Sequence, residues 1–178
     1  MGQDTAAAAA SALRLLNSPD LRHQPATAPT GRHSTPTTAG TPLNLAILDY
    51  LTEHVNQVVT HTRELAGDVP APAGLEDLYH WYINETSNAP ADQQAVRDTL
   101  IETHRLEHLV RLGEADEVCK HPCPKCGCWG LMWDHGGNRA RCSNRRCRTP
   151  DGMTSSWTLA RLAAQKIQRT EIWRRNAT

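Results

Sequence analysis

The chain has 178 residues, of which 4 % are aromatic and none is Phe, so it holds one ordinary domain or two small ones and excludes a large enzyme scaffold. Its formal net charge is zero, but residues 1–119 carry 7 basic against 16 acidic side chains, whereas residues 120–178 carry 12 against 3. This asymmetry predicts a polyanionic partner for the basic half, or contact between the two halves.

No apolar stretch approaches the roughly 20 residues that a membrane span needs. The first residues also lack the basic start of a secretory signal. We therefore expect a cytoplasmic protein with no membrane partner. In a reducing compartment, six cysteines crowded between Cys119 and Cys147 favour metal binding over disulfides.

The first forty residues predict little packed structure. Residues 5–16 indicate a short Ala-rich helix with little to bury, which ends before Pro19. Residues 18–40 are rich in Pro, Thr and Ala without apolar periodicity, a composition typical of a disordered linker. Residues 1–40 are therefore expected to be an Ala-rich helix followed by a disordered linker.

Apolar periodicity predicts three helices in residues 41–117, which would form an acidic helical bundle. The first has Thr41 as its N-cap and Pro42 at its first position, and it closes at Gly67. A second, short amphipathic helix follows. The third runs from about Pro90 to Leu112 and carries two apolar stripes, which require two neighbours. We therefore expect a homodimer or a protein partner through this region.

The histidines of these helices are interpreted as surface or rim residues. His104 and His108 lie four residues apart with Glu107 between them, but the glutamate does not directly follow the first histidine, as it does in the metalloprotease motif. His54 and His61 lie beside the apolar stripe of their helix, where rim positions are expected. No phosphate loop, nucleophile elbow or kinase motif is present, so we expect no enzyme.

Two cysteine pairs predict a metal site. In CPKCG, Cys123 and Cys126 lie as in a zinc knuckle, because Pro stiffens the turn and Gly127 permits a positive φ behind the second ligand. Cys142 and Cys147 form a wider second pair, and the residues between the pairs predict two strands joined by a turn at HGGN. Such a small segment needs a bound metal or a cross-link in order to fold stably. We therefore predict a zinc ribbon with one structural Zn²⁺ held by these four cysteines.

Four further residues could replace a ligand if the wider pair cannot close around the metal. They are Cys119, Cys128, His121 and His135. Otherwise Cys128 is expected to pack beside Trp129 as a small hydrophobic side chain. A closed site of four protein ligands leaves no position for water, so the metal is expected to be structural rather than catalytic.

Basic side chains cluster on the second strand, the second cysteine pair and a C-terminal helix that we expect to begin at Ser155 or Ser156. Guanidinium groups match phosphate oxygens, and exposed tryptophans can stack on bases. Alternatively, the arginines pair with the acidic helices or keep the module soluble. The candidates for nucleic-acid binding are Arg139, Arg141, Arg145, Arg146, Arg148, Arg161, Lys166 and Arg169.

With the sequences HPCPKCGCWGLMW, CSNRRC and GMTSSWTLARLA, residues 118–170 resemble the C-terminal module of small uncharacterised zinc-ribbon proteins from actinobacteria and their phages. The resemblance supports the metal assignment of the four cysteines. It implies no activity, because zinc ribbons serve many functions.

The predicted fold class is mainly α: a small three-helix N-terminal bundle, followed by a C-terminal zinc ribbon with a β-hairpin and by a terminal helix. Residues 41–117 are the acidic bundle, and residues 118–178 are the basic zinc ribbon plus C-terminal helix. We predict a regulatory zinc-ribbon protein that binds DNA or RNA. The alternative is a protein-interaction adaptor that does not bind nucleic acid.

Overall fold

The computed structural model describes residues 2–22 and 43–177. Within them the protein is mainly helical, with a small antiparallel sheet of order β1-β2-β3. None of the described helices is both long enough and apolar enough to cross a membrane. The helices are α1 (Gly2–Leu16), α2 (Pro19–Arg22), α3 (Leu45–Ala66), α4 (Leu78–Glu85), α5 (Ala91–Arg111), α6 (Asp116–Cys119) and α7 (Leu159–Asn176), with a 3-10 turn at Leu75–Asp77. The strands are β1 (Leu131–Asp134), β2 (Arg139–Cys142) and β3 (Ser156–Trp157).

Helix α1 lies in the larger hydrophobic core, so the expectation that it has little to bury is wrong. Ala6, Ala9, Leu13 and Leu16 are all 0 % exposed, because α1 packs against α4 and α5. The alanines let the neighbouring helices approach closely, and the leucines fill the space between them. Alanine favours a helix whatever surrounds it, so the composition alone did not indicate this burial.

The predicted disordered linker, residues 18–40, is described only at its start. Pro19–Arg22 form a turn of helix there, which corrects the linker prediction for these residues. The backbone N–H of Asn44 donates to the carbonyl of Arg22 at 2.7 Å, so the residue before α3 lies beside the end of α2. Residues 23–40 lie outside the described residues.

Helix α3 begins later than expected, at Leu45, because Asn44 caps it. The side chain of Asn44 accepts a hydrogen bond from the backbone N–H of Ile47 at 3.3 Å. The predicted N-cap and first helical residue, Thr41 and Pro42, lie outside the described residues. The periodicity located the body of the helix, whereas its first turn depended on a side-chain hydrogen bond.

Helix α5 has the two neighbours that its two apolar stripes require, and both belong to this chain. Ile101 packs in the larger core with α1, and Leu106 packs in a second core with α7. Lys166 of α7 also pairs with the fully buried Glu102 of α5 at 2.9 Å, so the basic half does contact the acidic half. Both apolar stripes of α5 thus have neighbours within this chain and do not require a second chain. The homodimer or protein partner stays a prediction.

The C-terminal module contains the predicted hairpin and one strand that was not predicted. β1 and β2 are antiparallel and are joined through residues 135–138, as the HGGN turn indicated. Ser155 or Ser156 was expected to cap the helix, but neither does: Ser156 belongs to β3, which pairs with β2. Helix α7 is capped by Thr158, whose side chain accepts from the backbone N–H of Arg161 at 3.2 Å. A short extended segment before the helix thus extends the hairpin into a sheet.

Candidate metal centre and basic groove

The four predicted ligand cysteines lie together beside the hairpin and form a possible metal site. The Sγ atoms of Cys123, Cys126, Cys142 and Cys147 all lie within 4.8 Å of one another. The distances Cys123–Cys147 and Cys126–Cys142 are both 3.7 Å between Sγ atoms. Tetrahedral coordination with metal–sulfur bonds of about 2.3 Å gives sulfur–sulfur distances of about 3.8 Å. The four sulfurs are therefore spaced for a single ion.

Hydrogen-bonded turns position each cysteine pair. In the first turn, the backbone N–H of Cys123 donates to the carbonyl of Cys128 at 2.9 Å. Gly127 has a φ of 71°, as predicted for the residue behind the second cysteine of this pair. In the second turn, the side chain of Asn144 accepts from the backbone N–H of Arg146 at 3.0 Å. This turn brings the sulfurs of Cys142 and Cys147 close to those of the first cysteine pair.

The environment of the sulfurs favours a bound cation. The backbone N–H of Cys128 donates to the sulfur of Cys126 and lowers the pKa of that exposed thiol to about 6. Burial raises the pKa of the Cys142 thiol to about 12, because a buried thiolate loses its hydration. A divalent ion would supply the missing positive charge. The donor set, its spacing and its burial thus fit one metal ion.

Cys128, one of the four residues that could replace a ligand, lies against this centre. Its Sγ atom is 3.3 Å from that of Cys126 and 3.4 Å from that of Cys142. Cys128 is nevertheless outside the set of four mutually close sulfurs. It contacts one edge of the cluster rather than only packing beside a tryptophan. Three more candidate ligands lie outside the set as well: Cys119, His121 and His135.

The cysteine centre is continuous with the second hydrophobic core. Three of its cysteines are buried there, together with Leu131 of β1, Leu159 and Leu162 of α7, and Leu106 of α5. The cysteine centre therefore lies where the hairpin meets α5 and α7.

A groove of about 880 Å³ lies between α1, the first cysteine turn and α7. Trp129 and Trp173 line it and are 67 % and 74 % exposed. The guanidinium carbon of Arg169 lies 5.8 Å from the centre of the Trp129 ring, and Arg174 lines the same groove. Two exposed indoles and two arginines therefore share one concave surface, which we call the basic groove.

The predicted nucleic-acid-binding residues are distributed over more than this groove. Lys166 and Arg169 line it, and Lys166 is held by buried Glu102. Arg141 pairs with an acidic residue of β1 at 3.1 Å, while Arg148 donates to carbonyls of its own loop. The remaining four are exposed, have no acidic partner among residues 2–22 and 43–177, and do not line the groove: Arg139, Arg145, Arg146 and Arg161.

A buried histidine cluster lies between α3 and α5 and was not predicted from the sequence. His54, His104 and His108 are 5 %, 1 % and 0 % exposed, so the surface or rim interpretation of these three is wrong. The rings of His54 and His104 have centroids 4.4 Å apart. Spacing did offer a signal, because His54 follows Leu51 by three positions and His104 follows Ile101 by three, which continues each buried face.

A chain of hydrogen bonds connects these rings to tyrosines. The hydroxyl of Tyr50 lies 2.7 Å from Nδ1 of His108, and the hydroxyl of Tyr79 lies 2.8 Å from Nε2 of His108 and 3.1 Å from Nδ1 of His104. Nε2 of His104 lies 2.9 Å from Oε1 of Gln57. Burial lowers the pKa of His104 to about 2 and that of His108 to about 3, so both rings are neutral at pH 7.

No protein family, curated protein or solved structure matches this chain. The resemblance of residues 118–170 to zinc-ribbon proteins therefore stays a prediction.

Proposed function

We propose that this is a zinc-ribbon protein that binds single-stranded nucleic acid in the basic groove. The observation that carries the proposal is the convergence of Trp129 and Trp173 with Arg169 and Arg174 on one concave surface. Bases of any sequence stack on indole rings, and guanidinium groups attract the phosphates between them. The net charge of residues 120–178 supplies a further long-range attraction for a polyanion.

Zinc is the ion that the four cysteines suit best. Four thiolates at tetrahedral spacing are a soft donor set, and they leave no open coordination position for chemistry. In this proposal the ion has a structural role in binding. Trp129 follows the first cysteine turn, so closure of that turn around zinc would fix one wall of the groove.

Substitution of Trp129 tests the stacking contribution. Trp129→Ala is expected to weaken binding of a labelled single-stranded oligonucleotide by about 1–3 kcal/mol, because one stacked base loses its platform. Fluorescence anisotropy titrations with DNA and with RNA would measure the loss and show which is preferred. Met132→Ala is the matched control, since Met132 is 57 % exposed on β1 and does not line the groove.

Substitution of Arg169 tests the electrostatic contribution. Arg169→Gln is expected to lower the slope of log affinity against log salt concentration by about 0.7, the value for one phosphate contact to a single strand. Arg63→Gln should leave the slope unchanged, because Arg63 lies on α3 away from the groove. Equal slopes for both variants, or no binding at low salt, would contradict the proposal.

A protein-interaction adaptor is the second candidate. Met153 and Ile172 are 64 % and 54 % exposed, and exposed apolar side chains mark many protein contact surfaces. Failure to bind any single-stranded oligonucleotide at low salt would favour this candidate over the first.

A further inference from the structure

We propose that His54, His104 and Glu107 form a second divalent-metal site, which has an open coordination position and is separate from the cysteine centre. One nitrogen of each imidazole and one carboxylate oxygen lie within 4.8 Å of one another. The two histidines are buried, whereas the side chain of Glu107 is 37 % exposed. The ligand set thus combines two fixed imidazoles with a carboxylate that can adjust.

Hydrogen bonding determines which nitrogen of His54 faces Glu107. Nδ1 of His54 lies 2.8 Å from the backbone carbonyl of Tyr50, which can only accept, so Nδ1 carries the ring proton. The lone pair of Nε2 then lies 2.8 Å from Oε2 of Glu107, and two acceptors face each other. A cation between them makes the contact favourable, either a second proton on the ring or a metal ion.

The position of His104 favours the metal ion. A proton bridges only one pair of atoms, whereas three potential metal-ligand atoms, one each from His54, His104 and Glu107, lie close together here. Nδ1 of His104 contacts the hydroxyl of Tyr79, and Nε2 lies 2.9 Å from Oε1 of Gln57, which can only accept, so Nε2 donates there until an ion takes the place of Gln57.

The hydrogen-bond chain around His104 can adopt the direction that metal binding requires. With Nδ1 of His104 donating to Tyr79, the hydroxyl of Tyr79 donates to His108, and His108 donates to Tyr50. This direction leaves the lone pair on Nε2 of His104, and it requires the exposed side chain of Gln57 to turn its Oε1 away from that nitrogen. Both proposed histidine ligands then donate their single N–H to a protein oxygen, the arrangement that orients metal-binding imidazoles.

The ligands open onto a cavity of about 490 Å³ between the helices and the sheet. Trp133, Asn138 and Thr158 line its other side, and the indole N–H of Trp133 is buried without a hydrogen-bond partner in the described part of the chain. Three protein ligands leave a fourth position for water or for an oxygen of a small anionic ligand. Nitrogen and oxygen donors suit a first-row divalent ion such as Zn²⁺ or Co²⁺.

Coordination requires a small adjustment. Metal–ligand bonds of about 2.1 Å in a tetrahedral site place neighbouring ligand atoms about 3.4 Å apart. The His54–Glu107 contact of 2.8 Å must therefore widen, and rotation of the partly exposed glutamate provides this movement.

Co²⁺ titration of the full-length protein tests the site. Cobalt in the cysteine centre gives an intense thiolate-to-metal charge-transfer band, whereas cobalt on nitrogen and oxygen gives only weak ligand-field bands. We expect two Co²⁺ per chain. Glu107→Gln should weaken the second equivalent by at least about 100-fold, the upper range for loss of an outer-shell partner, and leave the thiolate band unchanged.

Glu53→Gln is the matched control, because Glu53 is exposed on the same cavity but is not one of the three proposed ligands. It should keep both equivalents. Glu107→Gln is nearly isosteric, and circular dichroism would verify that it folds. A single Co²⁺ per wild-type chain, or equal cobalt binding by Glu107→Gln and wild type, would overturn the proposal. The test does not involve the basic groove, so its outcome is independent of nucleic-acid binding.

Discussion

Cys142→Ser is expected to abolish stoichiometric metal binding at the cysteine centre and to unfold the hairpin. Structural zinc contributes about 10–16 kcal/mol of apparent binding free energy in small zinc-finger peptides, which far exceeds what so small a sheet can gain from burial. Cys142 is 3 % exposed and belongs to the second core, so its replacement also leaves a polar hydroxyl among apolar side chains. Metal analysis by mass spectrometry would measure the loss of the ion.

Hydrogen exchange would measure the unfolding. The amide of Ser143 donates to the carbonyl of Gly130, and the amide of Ser155 donates to that of Cys147, so both report on the closed module. They should exchange rapidly in Cys142→Ser and in chelator-treated wild type, while α1, α3 and the first half of α5 keep their protection. Unchanged exchange at these two amides after complete metal removal would contradict a structural role for the ion.

Cys128→Ser is the matched control. Its sulfur contacts the same cluster but lies outside the four mutually close sulfurs, so metal content and exchange should match the wild type. The opposite result, metal loss in Cys128→Ser and metal retention in Cys142→Ser, would make Cys128 the fourth ligand.

The cysteine cluster could be predicted from the sequence because its geometry is local. Each pair is shaped by hydrogen bonds within a few residues, and Gly127 and Asn144 have the turn chemistry that those bonds require. The hairpin between the pairs has equally local signals. The pairing of β2 with β3 and the hydrogen bonds of Ser155 with Cys142 and Cys147 needed information from a more distant segment.

The basic groove could be predicted only in part, because charge in the sequence does not show which cations are already paired. Lys166 and Arg141 have acidic partners that only the fold brings near. Trp129 and Trp173 are far apart in the sequence and line one groove because α7 packs back along α5. The sequence around each tryptophan therefore did not indicate that the two side chains lie in the same groove.

The histidine cluster could not be predicted from a rule that places polar residues outside. The rings of His104 and His108 are buried at low cost because tyrosine hydroxyls satisfy them, and those tyrosines lie on α3 and α4. A helix pattern shows which face is buried, but it does not show that another helix carries a partner for a polar group on that face.

Leu13→Ala is expected to lower the free energy of unfolding by about 3 kcal/mol, because it removes a side chain with 0 % exposure from the larger core. Chemical denaturation followed by circular dichroism would measure the change. Leu15→Ala is the matched control on the same helix. Leu15 is 51 % exposed, so its truncation should change stability by less than about 0.5 kcal/mol.

This pair of variants distinguishes two roles for the first helix. If α1 were an appended helix with little to bury, both truncations would have similar, small effects. Packing of α1 against α4 and α5 predicts instead that Leu13→Ala lowers the free energy of unfolding several times more than Leu15→Ala does, although the two positions are only two residues apart. Loosening of α1 should also affect binding in the basic groove, since Asp4, Thr5 and Ala8 of α1 line one side of it. Leu13→Ala should therefore weaken oligonucleotide binding near its unfolding midpoint, where Leu15→Ala still binds as the wild type does.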